Sequence, residues 1–170
     1  GIWLVAHALR MVSASAAQRW LTAIRDRGSD GSMQAFGELL ILYALLAPTE
    51  TWPRSQIEHV LREASAEDAA SQLVLAGLVH GAVHLWKDIE DKAFLGRILA
   101  AGMLSDHPAT GKATLDWFRV NEHARLSTRN RPIFAALAEG KAIGAVRSYM
   151  FLVEALMEVI QDDPQLVYAI

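Results

Sequence analysis

The residues best placed to do chemistry are His80, His84, Asp88 and Asp91, in the stretch "HGAVHLWKDIED" from 80 to 91. Their steps of four, four and three would stack imidazoles and carboxylates on one helix face, as a metal centre needs. A complete centre takes three or more converging donors. The histidines supply two, and the third would be Asp88 or a residue from another helix, because Glu90 lies off that face. The metalloprotease pattern H-E-x-x-H is missing: Gly81, Ala82 and Val83 separate the histidines, and none of them is a general base. His80, His84 and Asp88 are therefore the metal candidates. The reading favoured over them is a polar helix edge, with no transition metal and no other cofactor expected.

Two further stretches carry charge in suggestive patterns. "HPATGKAT", residues 107 to 114, resembles the end of a phosphate loop, G-x-x-x-x-G-K-[ST]. Asp106 stands where the first glycine belongs, and Ala113 where the hydroxyl residue belongs, so the stretch reads as a helix N-terminus. "RVNEHARLSTRNRP" holds Arg119, Arg125, Arg129 and Arg131, the densest positive run and the candidate nucleic-acid contact. Glu122 interrupts it, few aromatics interleave, and the whole chain has a net charge of -3 with a pI near 6.1. Nucleic acid therefore ranks below a protein partner. No serine sits in a G-x-S-x-G elbow, and the absence of cysteine removes thiolate and disulfide chemistry. No catalytic residue is assigned, and the chain is not expected to be an enzyme.

The elements that must position these residues read as helices. Of the 170 residues, 52% are hydrophobic and 21% charged, enough for one sizeable core. The apolar run Leu39 to Ala47 is nine residues long and ends at Pro48. A membrane span needs about 20. "GIWLVAHALRMV" is broken by Arg10 and follows no basic segment. Both runs are expected to be buried helices, with no membrane contact and a cytoplasmic location.

Further helices follow from period and punctuation. Trp20, Leu21 and Ile24 are expected inside the second. Ser32 is expected to cap a third, which carries Met33, Phe36, Leu40, Tyr43 and Leu46 on one face. Pro53 restarts the chain, with Ile57, Val60 and Leu61 inward, and Ser65 with Asp68 resembles a capping box. From Gly77 the helical pattern runs on through Val83, Leu85 and Ile89 to "AFLGRILAAGML". Pro108, the Pro132 to Gly140 segment and the long Ile143 to Ile160 segment complete the pattern. No alternating run bounded by turn residues suggests a strand.

The fold expected is all-α: about eight helices as an array of antiparallel pairs with HEAT- or TPR-like packing, the alternative being a compact orthogonal bundle. Trp20, Trp52, Trp86 and Trp117 are spaced 32, 34 and 31 apart, near a two-helix repeat, but their surroundings do not align.

"GSMQAFGELLILYALLAP", followed by Trp52 and an amphipathic helix, and later "HPATGKATLDWFRV" and "RPIFAALAEG", give this chain its one family likeness. Over residues 31 to 140 it resembles helical-repeat regions downstream of the ATPase module in large bacterial NTPases of the STAND/AAA type, several of which defend against phage. The resemblance implies a helical sensor or scaffold with nucleotide chemistry elsewhere, and carries over no site residue. Residues 1 to 170 accordingly read as a single all-α segment, a fragment of a longer helical-repeat protein. The expected function is a non-catalytic interaction, scaffold or sensor module. Its partner would be another protein or the rest of the parent chain. Alternatives are a small-ligand or metal-binding bundle at His80 and His84, or a nucleic-acid contact through the Arg119 to Arg131 region. The isolated segment is expected to self-associate and to lack hydrolytic activity.

Overall fold

The computed structural model describes residues 1–63, 68–86, 90–105, 107–120 (backbone alone over 115–120), 131–133 and 135–137. They form α1 (Ile2–Arg10), α2 (Ala14–Arg25), α3 (Asp30–Leu46), α4 (Thr51–Glu63), α5 (Ala69–Leu85), α6 (Lys92–Leu104) and α7 (Pro108–Val120). Residues 131–133 and 135–137 are also helical, and no strand occurs among the described residues. The class is all-α. The segment from Ile143 to Ile160, residues 134 and 138–140 of the Pro132 to Gly140 segment, and Ser65 lie outside the described residues.

Side-chain caps fix four of the starts. Ser13, Ser29, Asp68 and Asp91 each accept a hydrogen bond from a backbone N–H in the first turn that follows, those of Ala16, Ser32, Ala70 and Phe94. The α3 cap is thus Ser29, not Ser32, whose own hydroxyl donates back to the Ser29 carbonyl at 2.8 Å. Asp68 itself caps α5. It also accepts from the Ser71 hydroxyl, and that bond holds its carboxyl below the ordinary range against the opposing effect of burial. A group whose folded pKa is depressed stabilises the fold above its unfolded pKa, and the contribution fades as pH falls through the folded value. Asp68→Ala should therefore cost about 1 kcal/mol at neutral pH. In urea titrations wild type and variant should converge in strong acid; a gap that persists there would show that the carboxylate is not the cap.

The largest departure from the sequence reading falls between α5 and α6. The helix does not run from Gly77 into "AFLGRILAAGML"; it ends at Leu85. The Lys92 ammonium donates to the Trp86 carbonyl, which satisfies an acceptor left over at the α5 terminus. Asp91 takes a non-helical ψ of 77° and starts α6. Two local hydrogen bonds outcompete a continuous helix.

At the centre lies the pair α3–α5. Leu39 to Ala44 are all buried on α3, and Gln72 to Val79 on α5, so over these stretches both helices are enclosed all round rather than on one face, with His80 and His84 left at an edge of α5. They meet backbone to backbone. A Cβ added to Gly77 would lie 2.9 Å from the Gln34 carbonyl carbon and nearer still to its oxygen. One added to Gly37 would lie 2.9 Å from the Leu78 nitrogen and press on the Val74 carbonyl. Only glycine permits this approach.

Around this pair the helices order themselves simply. α1 packs on α3, α3 on α5 and α5 on α7, while α2, α4 and α6 pack against the odd-numbered helices beside them. Arg97 joins α6 to α4 through Glu58 at 2.6 Å, and Arg54 reaches Asp91 at 3.3 Å. These pairs are half exposed, so each contributes under about 1 kcal/mol.

α1 corrects a second expectation. It is not a buried helix: it buries Ala6 and Leu9 and leaves Leu4 largely in solvent and Trp3 partly exposed. Trp20 of α2 is also 45% exposed rather than inward. The tryptophans are not equivalent: Trp52 is half-buried in the first turn of α4, whereas Trp86 is buried just past α5. Their spacing does not mark one repeated position.

Candidate functional site

One groove collects two of the stretches that the sequence singles out. α5 carries His80 on its outward edge, α3 carries Gln34 and Glu38 one turn apart, and α7 brings Lys112 opposite. The small residues Ala76, Gly77, Ala109 and Ala113 leave room between them for a cavity of about 350 Å³. The histidine stretch and the glycine-lysine stretch meet because α7 packs directly on α5.

The geometry around His80 is specific. Glu38 Oε1 lies 3.4 Å from His80 Nδ1, and the side chains are 21% and 46% exposed. On the ring's other side, His80 Nε2 lies 3.2 Å from His84 Nε2. The two imidazoles meet edge to face, with centroids 4.5 Å apart and planes at 79°. Glu38 was not among the residues that spacing marked, because it comes from another helix.

The predicted stripe of donors breaks up beyond His84. Asp91 begins α6 as its cap and pairs with Arg54, away from the histidines. Asp88 lies outside the described residues. Among the described residues no group of three or more metal-binding side chains converges.

Beneath the groove a buried polar network holds α7 on α5. Thr110 donates to the Gln72 backbone carbonyl at 2.9 Å, and Thr114 to the Thr110 carbonyl at the same distance. Ser105 donates to the Gln72 side-chain oxygen and accepts from the His107 N–H at 3.1 Å. The phosphate-loop likeness therefore resolves into helix packing: the hydroxyls of Thr110 and Thr114 face inward, and no strand precedes the stretch among the described residues. Gln72, Thr110 and Thr114 escaped the sequence reading. Threonines four apart among small residues were the available signal.

A second cavity of about 350 Å³ lies between α3, α4 and α6, lined by Ile41, Pro48, Arg54, Asp91 and Phe94. Arg54 is committed there to Asp91 and to the Phe94 ring, whose centroid is 5.0 Å away. It is a joint between helices. Burial, then the charge of Glu50, pushes the Tyr43 phenol up, so its hydroxyl stays protonated and is no nucleophile.

The arginine run is only partly visible. The Arg119 backbone belongs to α7 and Arg131 is exposed, while Arg125 and Arg129 lie outside the described residues.

The exposed large apolar residues among those described all fall on α1, α2 and the turn between them. Leu4 is 77% exposed and Met11 85%, with Trp3, Val12 and Trp20 beside them in sequence and also solvent-exposed. Residues 1 to 25 contain no Asp or Glu, and Arg10 and Arg19 are exposed.

Fold and surface define an all-α protein with no described helix long and apolar enough to cross a membrane. Compared with known proteins, the chain matches no family model, no curated protein and no solved structure.

Proposed function

We propose that this chain is a non-catalytic interaction module, a stretch of α-helical repeat that docks a protein partner. The observation that carries the reading is the concentration of exposed large apolar side chains, Trp3, Leu4, Met11, Val12 and Trp20, within α1, α2 and their turn. Large side chains left in water on this scale mark association surfaces, and Trp is the residue most enriched where binding energy concentrates. The stacking of α1 on α3, α3 on α5 and α5 on α7 supports the repeat reading, since paired-helix repeats place alternate helices in register in this way. On the resemblance to large bacterial NTPases, such a module serves as a sensor or scaffold part beside a nucleotide-driven engine.

The charge of the face narrows the partner. With Arg10 and Arg19 exposed and no carboxylate before Asp26, it suits an amphipathic helix with apolar anchors and an acidic rim. Trp3 and Trp20 report the test directly through their fluorescence. An acidic amphipathic peptide should shift the emission saturably, while a basic peptide of equal hydrophobicity should not. Leu4→Asp with Met11→Asp should abolish the shift without lowering the melting temperature. Equal response to both peptides, or a response to anionic vesicles alone, would refute the protein-docking reading.

A further inference from the structure

Spacing alone reads His80 and His84 as a polar helix edge with no metal expected. Two distances point the other way. We propose that the pair is a two-histidine seat for a divalent transition metal of the zinc, nickel or copper class, with Glu38 holding the His80 ring in position.

The first distance is the 3.2 Å between the two Nε2 atoms. Imidazole nitrogens bind such metals at about 2.0–2.1 Å, so two of them sharing one ion at tetrahedral to right angles stand roughly 3.0–3.4 Å apart. The separation of the two nitrogens already falls in that range. In the absence of metal the same spacing lets His84 donate its Nε2 proton to His80, and when an ion binds that proton moves to His84 Nδ1, leaving both Nε2 lone pairs to the metal.

The second is the 3.4 Å from Glu38 Oε1 to His80 Nδ1, an ion-pair separation that must close by a few tenths of an ångström to become a hydrogen bond. A carboxylate on the far nitrogen of a ligating histidine keeps the proton on Nδ1, leaves the Nε2 lone pair for the metal and raises ligand basicity. Glu38 and His80 come from different helices, and the close contact of those helices keeps their separation fixed. Gly77, one turn before His80, lies against the backbone of Gln34 and Glu38. The seat is thus built into the tightest joint of the fold, while His80 itself remains 46% exposed and reachable.

The chemistry also sets limits. Lys112 lines the same groove and repels a cation, an effect the Glu38 charge offsets. With two protein donors, the remaining positions are open to water or to a donor from outside, so affinity falls below that of a closed structural site. Imidazole favours zinc, nickel and copper over magnesium and calcium. The inference does not depend on the α1–α2 face.

Calorimetric titration of the whole chain with zinc, nickel or copper chloride, in a non-coordinating buffer, tests it. One equivalent should bind, magnesium and calcium should not, and His80→Ala or His84→Ala should each weaken binding at least tenfold. Glu38→Gln should weaken it about tenfold, as losing an orienting carboxylate does elsewhere. His59→Ala, on the exposed side of α4, should leave it unchanged. The variants are at surface positions, and unchanged melting in chelator would confirm that they fold. No saturable binding by the parent chain, or undiminished binding by His84→Ala, would overturn the proposal.

Discussion

Gly77→Ala is expected to destabilise the protein by about 3 kcal/mol or more, the upper range for overpacking a tight interior. The added methyl would meet the Gln34 carbonyl and, 3.0 Å away, the Glu38 nitrogen. Both are helix backbone and cannot rotate aside. α3 and α5 would have to separate, opening the core on both sides of the joint. The same exchange at Gly111 gives the opposite sign, because a Cβ there meets nothing within 4 Å and alanine is the better helix former in α7. Gly111→Ala should stabilise by roughly 0.5–1 kcal/mol. Urea unfolding of the two variants measures the difference. Equal effects would mean that α3 and α5 are not in backbone contact.

Phe36→Ala should cost about 3–5 kcal/mol, the usual loss on emptying a core aromatic site. The ring is 2% exposed, and it carries the Arg25 guanidinium 5.8 Å from its centroid, so α2 is linked to α3 through it. Phe36→Leu keeps most of the volume and should lose about 1 kcal/mol. Leu4→Ala removes as apolar a group from a 77% exposed site and should stay within about 0.5 kcal/mol. Domains of this size are stable by roughly 5–15 kcal/mol, so the Phe36 cavity takes a large share while Leu4 takes almost none. Thermal or urea unfolding separates them. A Phe36→Ala variant as stable as Leu4→Ala would remove α3 from the core.

Leu4 and Phe36 show what could and could not be read in advance. Both are apolar residues in helical runs, and period alone assigns both to the interior. Hydrophobicity states what leaving water is worth, not whether a neighbour exists to cover the side chain. α3 has α1, α2, α4 and α5 around it and is enclosed; α1 has α3 and α2 and is covered on one side. The end of α5 at Leu85 was hidden for a related reason. The apolar period continues across the break, and the two hydrogen bonds that outcompete it involve Asp91 and Lys92, which local pattern does not pair with Trp86 or Phe94.

The sequence by itself determined the all-α class, the break at Pro48, and the presence of His80 and His84 one turn apart. These follow from propensity and a 3.6-residue period, which act within a few residues of chain. Tertiary structure alone decided that Glu38 stands behind His80, that Lys112 shares their groove, and that Trp3, Leu4 and Met11 stay in water. Those outcomes depend on which helix faces which. That choice was made by glycines at 37 and 77, whose missing side chains let α3 and α5 touch.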